Sequence, residues 1–213
     1  IEAGQDYTAV YVSARRTASG RSQTGIRCFS RQEAERMAYG SIFSFQNMYG
    51  LSEEETAQLA GSMVPVLITG EEGIRMSRAA ARLYMESPLQ DAPLVFINCC
   101  LLNDRSWEFL LESHNSPLSE SGSTLYFSRV GTLSPSRRLQ LMDTLAESGV
   151  CRRSRLLFSC TCRPGEQMAP EAAGFLNRLN CRVLYLQPLR NLREQIPAQI
   201  TSSLSLLNAS RSY

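Results

Sequence analysis

From Pro65 onward, short apolar runs alternate with segments of helical period. The runs Val66–Thr69, Leu94–Asn98, Thr124–Ser128, Arg155–Cys160 and Arg182–Leu186 are each the length of one strand. Between them, Met76–Glu86, Arg105–Ser113, Ser134–Ser148 and Ala169–Leu179 read as helices. Near-continuous apolar strands separated by helices predict an α/β fold with a mainly parallel sheet covered on both faces, a three-layer arrangement. Such a sheet binds ligands beyond the carboxyl ends of its strands. Those ends are Gly70–Gly73, Asn98–Cys100, Ser128–Arg129 and Cys162–Arg163.

Upstream of Pro65 the pattern changes. Ser30–Met48 reads as a helix opened by a capping box, Ser30 with Glu33, and followed by Met37, Ile42, Phe45 and Met48 near helical spacing. Ser52–Leu59 repeats the device with Ser52 and Glu55, and its acidic run suits a helix N-terminus. Tyr7–Ala14 and Gly25–Phe29 read as two strands joined by a long polar loop. Two strands alone are marginal in water, so this hairpin must join another sheet. It either packs on the main domain or ends a sensor unit lying upstream, and the second placement is expected. The expected divisions are residues 1–29 as that end or attached hairpin, 30–64 as a helical lead-in, 65–208 as the α/β core and 209–213 as a tail.

The core is organised around Pro65–Tyr84, a strand, a glycine turn and a helix. In that architecture backbone N–H groups and a helix N-terminus can cradle phosphate. A working phosphate loop ends G-K-[ST], because its lysine must reach the outer phosphates. Here Arg75, Met76 and Ser77 stand at those positions.

Composition sharpens the picture. All 22 basic residues are arginines, so a phosphate-loop lysine, a Schiff-base lysine and a Ser-Lys dyad are excluded. The single histidine, His114, excludes multi-histidine metal sites, and no G-x-S-x-G turn accompanies it for a hydrolase triad. It reads as a surface residue. The seven cysteines form no C-x-x-C pair and read as reduced thiols, mostly in apolar runs. A net charge of +2 gives no electrostatic footprint for nucleic acid in this segment. No run approaches the roughly 18 to 20 apolar residues of a membrane helix, so no membrane contact and a cytoplasmic location are expected. At 213 residues the chain is one large domain, or one domain with a small attachment.

From about Phe45 to Asn208 the chain resembles the central AAA+ domain of bacterial enhancer-binding proteins, the NtrC-like activators of sigma-54. The resemblance rests on P-V-L-I-T-G-E-E-G at Pro65–Gly73, P-L-V-F-I-N-C at Pro93–Cys99 and G-S-T-L-Y-F at Gly122–Phe127. It continues in N-R-L-N at Asn177–Asn180 and P-L-R-N-L-R-E-Q-I-P at Pro188–Pro197. It implies a P-loop AAA+ α/β subdomain, with an upstream sensor and a downstream helical lid and helix-turn-helix. The chain stops about where that lid would begin, which implies a fragment of a longer regulator. DNA contact would then belong to the absent downstream domain.

The resemblance also locates the departures. The nucleotide-binding loop falls on Gly70, Glu71, Glu72, Gly73, Ile74, Arg75, Met76 and Ser77, with its last glycine and lysine replaced by Arg75 and Met76. The Walker B acids, one holding Mg²⁺ and the other orienting water, fall on Ser128 and Arg129. A guanidinium about 4 Å from Mg²⁺ at an effective dielectric near 20 would repel it by roughly 8 kcal/mol. Arg129 therefore turns outward or pairs with a nearby acid if a metal binds. The sensor asparagine falls on Cys162. Of the two trans-acting arginines, the first falls near Ala172 and the second on Arg178, a candidate interface residue whose plainer reading is a solvated helix arginine. The G-A-F-T-G-A loop that grips sigma-54 has no counterpart in Leu101–Ser121, so sigma-54 contact by that route is not expected.

These departures imply a pseudo-ATPase with no catalytic residue, no metal and no required cofactor, serving signal relay or assembly, with self-association through the AAA+ face. The alternative is a domain that binds ATP or ADP without turnover, with Arg75, Arg78 or Arg129 supplying charge in place of Mg²⁺. An active sigma-54-activating ATPase would need acids other than those at the family positions.

Overall fold

The computed structural model describes residues 24–40 and 53–210. Its strands are β1 (Ile26–Phe29), β2 (Val66–Glu71), β3 (Leu94–Asn98), β4 (Thr124–Ser128), β5 (Arg155–Cys162) and β6 (Arg182–Leu186). They form one six-stranded sheet in the order β1-β3-β4-β5-β2-β6. From β3 to β6 every pairing is parallel; β1 alone runs antiparallel, with Ile26 opposite Ile97. The interior strand β2 is buried at all its positions, and so is β4. Both are covered on two faces, as their unbroken apolar character requires.

The helices are α1 (Arg31–Tyr39), α2 (Glu53–Ala60), α3 (Met76–Met85), α4 (Asp104–Glu112), α5 (Pro135–Glu147), α6 (Val150–Arg153), α7 (Ala173–Leu179) and α8 (Ile196–Ser210). Side chains alternate along each strand, so neighbouring residues enter different cores. On one face Leu67, Ile97, Leu125, Phe127, Leu156 and Phe158 pack with Trp107 and Leu110 of α4, Leu141 and Leu145 of α5 and Phe175 of α7. On the other, Val66, Ile68, Tyr126, Leu157 and Leu184 pack with Ala34 of α1, Ala60 of α2 and Ala79, Ala80 and Leu83 of α3. Three layers result, as expected.

Local signals account for several boundaries. Ser30 and Glu33 make the reciprocal capping box that opens α1. That helix ends at Tyr39, where the Gly40 N–H donates to the Arg36 carbonyl at 2.8 Å, so the continuous helix expected to Met48 is not observed. Its predicted continuation through Ile42, Phe45 and Met48, and the Ser52 cap, lie outside the described residues. Ser134 caps α5 by accepting from Arg137 N–H, with Pro135 in the first turn.

One placement differs from expectation. Residues Ile26–Phe29 are an edge strand of the core sheet, paired along their length with β3. Of the two placements considered, packing on the main domain holds for them, because the free edge of β3 supplies the backbone partners. Tyr7–Ala14 lies outside the described residues. Helix α8, Ile196–Ser210, closes the described residues, and residues 211–213 of the expected tail lie outside them. Among the described residues no helix is long and apolar enough to cross a membrane.

Candidate functional site

The carboxyl ends of β2, β3, β4 and β5 surround a cavity of about 420 Å³. Its wall includes Glu71 to Ser77 from the glycine turn, Asn98 from β3, Tyr126, Ser128 and Arg129 from β4, and Ser159 and Thr161 from β5. The fold thus brings together the glycine turn and the Ser128–Arg129 strand end, which lie far apart in the sequence.

The loop is built as a tight turn. Strand β2 runs one residue past Gly70, and the Ile74 N–H then donates to the Glu71 carbonyl at 3.2 Å. Gly73 has φ +90°, the left-handed value that the third position of a type II turn requires. The Met76 N–H donates to the Ile74 carbonyl at 2.9 Å. Two amides of the expected phosphate cradle are therefore committed within the loop. A Cβ at Gly70 would lie 3.4 Å from Ile74 Cδ1 and from Leu186 Cβ, so Ile74 folds back over the end of β2. Met76 is 7% exposed and packs with α3's core face, while Arg75 is exposed and Ser77 half-buried.

Glu71 is not a free acid. Arg190 holds both its carboxylate oxygens, Nη1 to Oε2 at 2.6 Å and Nη2 to Oε1, and the Gly165 N–H donates to Oε1 at 3.0 Å. These bonds, Arg190 first, hold its carboxyl down at about 2. They bind the end of β2 to the segments that follow β5 and β6.

At the end of β4, Ser128 is buried and Arg129 has φ +60°. The Arg129 N–H donates to Ser159 Oγ at 3.1 Å, and the Tyr126 hydroxyl donates to the same oxygen at 2.9 Å. Burial pushes the Tyr126 hydroxyl up to about 12. The Arg129 guanidinium is half-exposed, with Nη1 3.8 Å from Cys100 Sγ and Nη2 4.0 Å from Glu72 Oε1. Of the two arrangements considered for Arg129, it adopts both in part: it stands at the mouth and faces an acid.

Cys162 does not line this cavity. It lines an adjoining one of about 430 Å³, with Arg163, Glu166 and Glu171, and the two share Glu72, Arg129 and Thr161. The β5 residues at the first cavity are Ser159 and Thr161, the latter set opposite Gly70 in the parallel register. Alternation explains the offset, because Cys162 points to the other face, where burial raises its thiol. Arg78, considered as a charge donor, is buried and spends Nε on the Ala38 carbonyl at 3.0 Å, so it is not a cavity group. Arg178 on α7 pairs with Asp143 on α5 at 2.5 Å. His114 is exposed in the turn after α4. All seven cysteines are free thiols, and burial pushes Cys99 up to about 12 and Cys160 to about 11. Among the described residues no cluster of His, Cys, Asp or Glu could hold a metal ion.

Sequence reasoning missed Tyr126, Ser159 and Thr161. Their signal was a hydroxyl recurring at alternate positions of otherwise apolar runs, which only the pairing of β4 with β5 converts into one site.

Comparison with known proteins places this geometry. The Sigma-54 interaction domain family matches residues 44–115. The transcriptional regulatory protein ZraR of Salmonella typhimurium is 27% identical over 199 residues, covering 82% of this chain and 44% of the relative. The Nif-specific regulatory protein of Herbaspirillum seropedicae is 24% identical over 197 residues, covering 78% and 36%. The chain therefore spans less than half the length of these relatives. In fold it is similar to NtrX from Brucella abortus in complex with ADP, with a TM-score of 0.56 at 18% identity, over 79% of this chain and 45% of that one.

Proposed function

Since this chain carries an AAA+ domain of the sigma-54 interaction type found in bacterial enhancer-binding regulators, we propose that it is a non-hydrolysing version of that domain, retained for signal relay or assembly. The observation that carries the reading is Arg129. The position that would hold a water-orienting acid carries a guanidinium at the cavity mouth, 4.0 Å from Glu72 and half-exposed. Its repulsion of Mg²⁺ at about 4 Å would lie between about 2 kcal/mol in bulk water and about 8 kcal/mol at a dielectric near 20. Exposure moves the value toward the lower figure, and even that is opposed by no acid in the Ser128–Arg129 pair.

The loop supports the same reading from the phosphate side. Met76 offers a thioether where an ammonium is needed, and the Ile74 and Met76 amides are already bonded within the turn. Neither the outer phosphates nor the metal find their usual partners. The remaining acid of the turn that is buried, Glu71, is held by Arg190 and serves the fold.

Isothermal titration with ATP, with and without Mg²⁺, and a phosphate-release assay test this. No magnesium-dependent heat and no release above the buffer rate are expected. Sustained phosphate release that disappears when Arg178 is replaced would overturn the proposal.

A further inference from the structure

The cavity that has lost its polyphosphate chemistry is still a cavity. Its volume of about 420 Å³ falls within the range of small-molecule sites, roughly 300–1,000 Å³. Its wall presents neutral hydrogen-bonding groups, Ser77, Asn98, Ser128, Ser159 and Thr161, together with two arginines, Arg75 in the glycine turn and Arg129 at the end of β4. Asn98 uses its oxygen to accept the Cys100 N–H at 3.2 Å, which leaves its NH₂ group as a donor. Ser159 Oγ accepts two bonds, from Tyr126 and Arg129, so its own proton is directed to a third partner. Glu71 is held by Arg190 and presents no unpaired charge to the cavity. Glu72 is 82% exposed and 4.0 Å from Arg129, a loose contact that a better anion can displace.

A guanidinium flanked by hydroxyl and amide donors recognises one carboxylate, which its planar fork can meet with two parallel hydrogen bonds. The serine and threonine hydroxyls, acting as donors or acceptors, suit the hydroxyl groups of the same ligand. With Glu71 held by Arg190, the charges of Arg75 and Arg129 against Glu72 leave a single net positive charge at the cavity, which one carboxylate matches and a polyphosphate exceeds. We propose that this cleft binds a small hydroxylated monocarboxylate, its carboxylate on Arg129 and its hydroxyls on Ser128, Ser159, Thr161 and Asn98. This ligand class rests on the reading of the domain as non-hydrolysing, and would make the former nucleotide site the sensor of a small metabolite.

Isothermal titration with D-glycerate, with glycerol and with Mg²⁺–ATP tests the assignment. Glycerate is expected to give saturable heat at concentrations up to about 10 mM. Glycerol, which lacks the charge, should bind at least about tenfold more weakly, and Arg129→Gln should weaken glycerate by a similar factor. Ser128→Asp, which sets a second carboxylate beside the first, should abolish the heat while the variant still melts cooperatively. No glycerate heat, equal affinity for glycerol, or undiminished binding by both variants overturns the ligand proposal alone. Mg²⁺–ATP heat that competes with glycerate, accompanied by phosphate release, overturns both this proposal and the non-hydrolysing reading.

Discussion

Arg155 Nη1 donates to the Ala60 carbonyl oxygen at 2.7 Å, so a guanidinium with no exposed surface, at the start of β5, closes the end of α2. The same nitrogen reaches the Leu83 carbonyl at 3.0 Å, and Nη2 reaches the Leu59 carbonyl at 2.7 Å. These carbonyls belong to the last turns of α2 and α3, which lack partners within their own helices. A cation at two helix C-termini also meets the negative ends of both dipoles. The residue joins two helices to the strand without any acid.

Replacing Arg155 should therefore be costly. Arg155→Met keeps the stem and removes the donor from the Ala60 and Leu83 carbonyls, while the Leu59 carbonyl keeps the Ser62 N–H at 3.3 Å. A loss of about 3 kcal/mol is expected, the scale of orphaning buried hydrogen-bonding groups. A lowered urea midpoint, with the slope of the transition unchanged, would be the measured result. A change within about 0.5 kcal/mol would mean that water replaces the guanidinium.

The Glu71–Arg190 pair sets an acid limb. The folded carboxyl titrates at about 2, below its ordinary value of 4.5, because Arg190 and the Gly165 N–H favour the charged form. A depressed folded value means that the pair's stabilisation is complete above about pH 4.5 and is lost as pH falls toward 2. Glu71→Gln should remove up to one proton from the slope of stability against pH in that window. Urea midpoints measured through it would show a flatter acid limb for the variant, and identical slopes would refute the assignment.

Restoring the lysine alone should not restore turnover. Met76→Lys supplies an ammonium, but the bonds from Ile74 and Met76 N–H stay within the turn and Arg129 stays at the mouth. Phosphate release by Met76→Lys is expected to match the buffer rate. The triple change Met76→Lys, Ser128→Asp and Arg129→Glu should gain magnesium-dependent ATP heat. Release from the single variant would show that Arg129 does not obstruct the chemistry.

Gly73 holds the left-handed position of the loop, which glycine adopts without strain. A Cβ there meets nothing within 4 Å, so Gly73→Ala tests conformation without a clash. At φ +90° an alanine should cost about 1 kcal/mol, a fall of roughly 2–4 °C in melting temperature for a chain of this size. An unchanged melting temperature would mean that the turn relaxes to another form.

What the sequence determined by itself is the layered sheet. Leu94–Asn98, Thr124–Ser128 and Arg182–Leu186 are strands at the residues their apolar runs marked, because strands covered by helices carry runs of apolar residues, although β6 at the sheet edge leaves Arg182 and Val183 exposed. The glycine turn and the strand end at Ser128–Arg129 were equally readable, since turn residues and the ends of apolar runs are local signals. Tertiary structure alone decided which partners those residues met. Nothing local to Arg155 announces the carbonyls of Ala60 and Leu83, nothing near Glu71 points to Arg190, and nothing in Ile26–Phe29 specifies the edge of β3. It likewise decided that Thr161, and not Cys162, faces the cavity. The physical reason is one of range. Apolar period and turn chemistry act between neighbours along the chain, whereas a buried charge finds its partner only after the sheet has brought distant segments together.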